Sequence, residues 1–369
     1  MAVGRESVMS AENKMRFICF SSGAQRRYRD DIIRAMAMPA GCELTFRYRL
    51  KYLAHAVQQH LQNDRITAGD QVLISYLDQS DPAQPVFFIP VRFASIIEAA
   101  VIGDFAVLRM RVEKLAYAPD LDVFNREVQT RSAEVPKWSS DAGSKHALGA
   151  YWIDVNDYPN SVIESAANAD WQKTVGQLLA RKDFAETGPF YRVVLLQEIG
   201  RKQSLEMNSG QFTLPPNTEY ELVMDHFLTR ESPGTFQLEV VFTGGTLAFI
   251  TGSKVQIDSP YNRHWFRFKS AEPLVDQRAV ITITKKMSGE DPLVQFDLPV
   301  LVTGRRRKAV MLGFGAGFLL AVPQITTAWM NPAFAPRGLT WLVALSGFIA
   351  AFNIAVGIAA ALNFRKPIG

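Results

Sequence analysis

Tyr220-Glu-Leu-Val-Met-Asp-His-Phe-Leu228 divides into two sets, with Tyr220, Leu222, Met224 and His226 on one side and Glu221, Val223, Asp225 and Phe227 on the other. Side chains of a strand alternate between its faces, so the stretch predicts a β-strand with one side against a core. Comparable runs lie at 191–199, 211–214, 236–242, 246–250, 254–257, 264–268, 279–284 and 293–298. Thr243-Gly-Gly-Thr246 between two of them is a hairpin turn signal. Short strands at this close spacing predict a β-sandwich of the immunoglobulin-like size class over residues 188–303. The Cys–Trp–Cys framework of antibody domains is missing, because both cysteines, Cys19 and Cys42, lie far upstream.

Before the sandwich the pattern is mixed. Residues 1–13 are polar, and 14–187 read as an α+β domain for binding or sensing. Strands are expected at 15–20, 43–50, 70–76, 85–95 and 104–112, and helices at 24–36 and 52–61, with Gly69-Asp70 and Gly103-Asp104 as turns. Several short strands with few helices predict a small, partly closed barrel. Asp120 caps a further helix, residues 132–149 are polar, a strand is expected at 150–155, and Trp171, Val175, Leu178 and Leu179 recur at helical spacing.

After the sandwich, residues 309–330 and 338–363 are apolar and uncharged. Each exceeds the ~20 residues that cross a bilayer core, so 304–369 predicts a two-helix transmembrane hairpin with the lipid bilayer as partner. Pro332 and Pro336 delimit the loop. Arg305, Arg306, Arg307 and Lys308 precede the first run, and Arg365 and Lys366 follow the second, which predicts a two-pass inner (plasma) membrane protein with both termini cytoplasmic. Small residues recur in both runs, at Gly313, Gly317 and Ala321 and at Gly347, Ala351 and Ala355. Such stripes permit close helix packing, either within one hairpin or between copies of the chain.

Lys and Arg total 40 against 36 Asp and Glu. Six of the basic groups flank the apolar runs, so the rest of the chain is close to neutral and gives no charge signal for nucleic acid. Cys19 and Cys42 have no CxxC spacing and read as reduced and structural, and residues 1–7 contain no secretory apolar region.

Sequence motifs for catalysis are missing. His55 and His60, five apart on a helix, point about 140° away from each other, which is poor geometry for a shared metal. No GxSxG, HExxH or P-loop occurs, and no cofactor or metal is expected. One cluster suits an anion. Ser22 and Gly23 end a strand and open a helix, Arg26, Arg27 and Arg29 follow, and Arg47, Arg49 and Lys51 share one side of the next strand beside Phe46, Tyr48 and Tyr52. Helix-opening N–H groups and guanidinium groups near aromatic rings fit a nucleotide or other phosphate-bearing ligand. The other reading is a solvated charged face balanced by Asp30, Asp31 and Glu43. Residues 258–266 add Arg263, Trp265 and Phe266, residue types that dominate binding surfaces, although a loop entering a core strand looks the same in sequence.

The expectation is therefore a non-enzymatic sensor or binding protein with a membrane output module. Its layout alone resembles that of prokaryotic defence-type membrane effectors. An anchored scaffold whose sandwich holds another membrane protein, and an enzyme without a familiar motif acting on a phosphorylated substrate, are the other two readings.

Overall fold

A computed structural model describes residues 16–22, 26–78, 87–131, 150–154, 164–166, 170–185, 189–228, 236–287 and 294–305, with five positions between 345 and 353. The first part runs β1 (Arg16–Ser22), α1 (Arg26–Ala37), β2 (Glu43–Arg49), a 3-10 turn (Leu50–Tyr52), α2 (His55–Gln62), β3 (Gln71–Asp78), β4 (Phe87–Ile102) and β5 (Phe105–Tyr117). It continues through α3 (Leu121–Arg131), β6 (Ala150–Asp154), β7 (Glu164–Ala166), α4 (Asp170–Leu179) and α5 (Lys182–Ala185). The strands order as β2-β5-β4-β3-β1-β6, with β7 also on β5. Within this sheet only β1 and β3 are parallel among the described pairings, because α1 and β2 intervene between them and return the chain.

Central β3 is apolar on both faces, as a strand covered on both sides must be. One face carries Leu73 and Leu77 with Ile18 and Phe88, covered by Phe124 and Val128 of α3. The other carries Val72, Ile74 and Tyr76 with Cys19, covered by Ile32, Ile33 and Met36 of α1. Arg92, fully buried on β4, fixes the end of α1. Its Nη1 donates to the Ala35 and Met38 carbonyls at 2.8 and 2.5 Å. Its Nε and Nη2 donate to the Glu113 carbonyl at 2.9 and 2.7 Å.

The second part runs β8 (Phe190–Glu198), β9 (Gln203–Ser204), β10 (Met207–Asn208), β11 (Gln211–Leu214), β12 (Glu219–Phe227) and β13 (Phe236–Thr243). Then come β14 (Leu247–Phe249), β15 (Lys254–Ile257), β16 (Tyr261–Ser270), β17 (Gln277–Met287) and β18 (Val294–Val302). They form a β-sandwich, with a six-stranded sheet β10-β11-β18-β17-β13-β15 against a five-stranded sheet β14-β16-β12-β8-β9. Leu222, Met224, Phe266 and Phe268 of the smaller sheet meet Leu238, Val240, Ile281 and Phe296 of the larger in one core. Gly244 and Gly245 turn the chain out of β13 with φ of 101° and 66°, the region glycine occupies without penalty.

The two parts share that core. Arg34 Nε of α1 donates to the Gln295 carbonyl at 2.9 Å, and the Trp171 ring of α4 stands edge-on to Phe227 at 6.4 Å.

Two expectations are corrected. The barrel is replaced by an open sheet, since no pairing joins its end strands β2 and β6 among the described residues. Alternation finds strands, whereas closure needs the first and last of them to meet, a long-range condition. The transmembrane hairpin is also overturned, and with it the two-pass, inner-membrane placement and the cytoplasmic termini: among the described residues no helix is long and apolar enough to cross a membrane. Gly313, Gly317, Ala321, Ala351 and Ala355 lie outside the described residues, while Gly347 is helical and half-buried. The apolar run 309–330, and all but five positions of 338–363, lie outside the described residues.

Candidate functional site

The outer face of the five-stranded sheet is built by alternation along three strands. With Leu222, Met224 and Phe266 turned into the core, Glu221, Val223 and Asp225 of β12 and Arg263, Trp265 and Arg267 of β16 face the other way. Register sets Asp225 opposite Arg263 and Glu221 opposite Arg267. On the far side of β12, Arg192 of β8 lies opposite Asp225 and Gln197 opposite Glu221.

Each arginine of β16 is held. Arg263 Nε and Nη2 donate to the two Asp225 oxygens at 2.7 and 3.1 Å, and Arg192 Nη2 donates to Oδ2 at 3.1 Å. The Arg192 guanidinium also stacks over Trp171 at 4.7 Å, so α4 closes this end of the face over the carboxylate. Burial pushes the Asp225 carboxyl up, but hydrogen bonds and charges from Arg263 and Arg192 outweigh it and hold it below its usual range. One step along, Arg267 Nε donates to Glu221 Oε1 at 2.9 Å, and Gln197 Nε2 donates to Oε2 at 2.9 Å. Between the two anchored arginines stands Trp265, 52% exposed. Tyr261, 45% exposed, lies beyond Arg263 on the same strand.

The edge of β16 is open alongside these residues. Its neighbour β14 pairs only from Leu247 to Phe249, and the Ile250 and Thr251 N–H groups then both donate to the Arg267 carbonyl at 2.8 and 3.3 Å. The chain next crosses to the other sheet, where β15 pairs with β13. No strand pairs with Tyr261–Phe266 on that side among the described residues.

Beneath the edge lies a buried histidine pair. His226 Nε2 is 2.7 Å from the Ser259 carbonyl, an acceptor, so that nitrogen carries its hydrogen. His226 Nδ1 is therefore bare and accepts from His264 Nε2 at 2.7 Å. Both imidazoles are neutral. Burial pulls each below the usual histidine range, with His264 pulled down to about 4 by burial and then by His226.

The residues expected to bind an anion fall into two groups. Ser22 ends β1 and Gly23 lies outside the described residues. Arg26 pairs with Asp30 at 3.8 Å, Arg27 is exposed on α1, and Arg29 Nη1 donates to the Asp183 carbonyl at 3.5 Å. Arg47 and Arg49 alternate on β2 with Phe46 and Tyr48, which join α1 in the core, so their guanidinium groups leave the opposite face of the sheet. There Arg47 stacks over Phe105 at 3.7 Å and Arg49 lies at 5.9 Å from the same ring, with Lys51 exposed in the following turn. The sheet thus separates Arg26, Arg27 and Arg29 from Arg47 and Arg49. Among the described residues no group of three or more His, Cys, Asp or Glu could hold a metal ion.

Sequence reading overlooked the paired spacing that marks the outer face: Glu221 and Asp225 four apart on one strand, Arg267 and Arg263 four apart on the next. It also passed over Lys285, buried on β17 with Nζ donating to the Pro189 carbonyl at 2.9 Å. Burial, and then the Arg29 charge, pulls its amine down to about 7 against the opposing pull of Asp30.

No family model and no curated protein matches the chain. Among solved structures, part of it is similar to the chaperone–tip adhesion subunit complex of the archaic chaperone-usher Csu pili of Acinetobacter baumannii. That match has 7% identity, 25% of this chain and 53% of that one covered, and a TM-score of 0.19. Part is similar to E. coli alpha-2-macroglobulin (12% identity, 30% and 7% covered, TM-score 0.20) and to WR4, a C. elegans MSP family member (13%, 25% and 91%, 0.16). The chain spans about half of the first of these and a small part of the second.

Proposed function

We propose that this chain is a non-enzymatic binding protein that holds an extended polypeptide against the outer face and open edge of β16. The observation that carries the reading is Trp265, more than half exposed between Arg263 and Arg267, whose positions are fixed by Asp225 and Glu221. Trp, Tyr and Arg dominate the energetics of protein interfaces, and a side chain ordered before binding loses less entropy on contact. The neighbouring edge supplies backbone donors and acceptors of the kind that strand addition uses. The test is selection of short random displayed peptides on the full chain. Peptides that bind the native protein and lose at least tenfold in affinity to Trp265→Ala support the reading. Selected peptides that bind both proteins equally overturn it.

A second reading is favoured by the stacking of Arg47 on Phe105, with Arg49 and Lys51 nearby: a phosphate-bearing ligand on the outer side of β2. A stacked guanidinium is already oriented for bidentate contact with phosphate. Titration with ATP and with inorganic phosphate tests it. Heat of binding that disappears in the Arg47→Glu/Arg49→Glu double variant supports the site, and equal heats in both proteins remove it.

A further inference from the structure

The partner that β16 fits is a second copy of itself. We propose that two chains pair antiparallel along the open edges of their β16 strands, about a twofold axis at His264, so that Arg263 of each copy lies opposite Trp265 of the other. The inference rests on the reading of β16 as a polypeptide-binding edge and names the polypeptide.

Three observations carry it. The first is which residues can pair. The Arg267 carbonyl points to the edge, where it receives the Ile250 and Thr251 N–H groups. Backbone groups of a strand alternate in direction, so Arg263 and Trp265 also turn their N–H and C=O outward. An edge with outward donors and acceptors is a template for another strand. The Arg263 N–H is held by its neighbour Asn262 through Oδ1 at 2.8 Å, an exposed side chain that an incoming carbonyl can replace.

The second is charge. Charged side chains on an edge normally repel a copy of the same edge. Here Glu221 offsets Arg267, and Asp225 pairs with Arg263 while also serving Arg192, so two carboxylates leave one of the three arginine charges uncompensated and the barrier is lowered.

The third is register. Centring the twofold at His264 sets Arg263 against Trp265 twice, a guanidinium against an indole, the best of the cation–π pairs. Moving the centre one residue to Arg263 would place arginine opposite arginine, which is unfavourable. Because both copies use the same patch, the contact closes as a dimer and does not propagate.

Light scattering on the size-separated full chain tests the association, and cysteine cross-linking tests the register. The native chain is expected at twice its monomer mass, and Trp265→Lys, which sets lysine opposite Arg263 of the other copy, at monomer mass, with a dissociation constant raised at least a hundredfold. An equimolar mixture of Arg263→Cys and Trp265→Cys chains should form a disulfide dimer on mild oxidation, and neither variant should do so alone. The native cysteines, Cys19 and Cys42, are both buried and leave the readout clear. Circular dichroism on each variant separates lost pairing from lost folding, because Arg263 and Trp265 both face outward. A native chain that stays monomeric, or a dimer indifferent to Trp265→Lys, overturns the proposal. Cross-linking of Arg263→Cys with itself overturns the register. Trp265-dependent peptide capture by a monomeric chain would overturn the dimer and leave the binding function standing, whereas loss of both results would remove both.

Discussion

Arg263 closes Nε and Nη2 on the two oxygens of Asp225, at 2.7 and 3.1 Å, although the carboxylate has no exposed surface and the arginine side chain is 43% exposed. The pair spans the boundary between interior and solvent. Arg192 shares the same carboxylate from inside, so one buried negative charge satisfies a buried cation and orients an exposed one. Removing the charge has two separable effects, on stability and on the binding face.

Asp225→Asn should lower unfolding stability by about 3–5 kcal/mol, because it strands the Arg192 guanidinium with a neutral amide in a buried place. The pH dependence follows in sign. The folded carboxyl titrates below its unfolded value near 3.9, so its stabilisation is present above that pH and is lost as pH falls through the folded value. Urea titrations from pH 5 to pH 2 should show a steeper loss for the native protein than for Asp225→Asn. Parallel profiles would refute the assignment.

The histidine pair acts in a higher window. Both imidazoles are neutral when folded and sit below the ordinary value of about 6.5, His264 at about 4. The unfolded chain therefore binds more protons, and stability should fall as pH drops from about 6.5 towards 4, flattening below. His264→Gln retains a donor for His226 Nδ1 but does not titrate. Thermal melts of that variant should depend less on pH in this interval, and an unchanged slope would locate the acid sensitivity elsewhere.

Lys285 has the same sign in an alkaline window. Its amine is pulled to about 7 by burial and then by Arg29, against an unfolded value near 10.4. Stability should rise from pH 7 to pH 10 as the folded group ceases to be penalised. Lys285→Met should be more stable than the native protein near neutral pH, by about 1–4 kcal/mol if the methionine packs well, and the two should converge at pH 10. A variant less stable at neutral pH would show that the bond to the Pro189 carbonyl outweighs the buried charge.

These groups mark how far the chain could be read from its residues. The two faces of β12 were legible at 220–228 because strand periodicity is local, and so was the inward turn of His226. The burial of Asp225 was not, since it alternates onto the outer face and is covered there by Arg263 and by Arg192, over which Trp171, 54 positions earlier, places α4. Arg29 and Arg47 are near each other in sequence, yet the side chains of α1 and the outward residues of β2 leave opposite faces of one sheet.

Arg92 tests how the first sheet is held. Among the apolar residues of Phe87-Phe-Ile-Pro-Val-Arg-Phe93 it is the sole charge, and the structure gives it four bonds to three backbone carbonyls. Burial pulls its guanidinium down to about 10, and it still remains a cation at neutral pH. Arg92→Met keeps the apolar stem but leaves the Ala35, Met38 and Glu113 carbonyls without these donors, and each buried acceptor left bare costs about 1–3 kcal/mol. Urea unfolding should show a loss of about 3–5 kcal/mol with an unchanged m-value. Arg92→Lys should recover only part of it, since an ammonium on a shorter stem cannot serve the end of α1 and β5 together. Full recovery by lysine would mean that the charge alone matters. Partial recovery would show that the planar fork itself joins helix to sheet, and that the position of α1 against the sandwich depends on it.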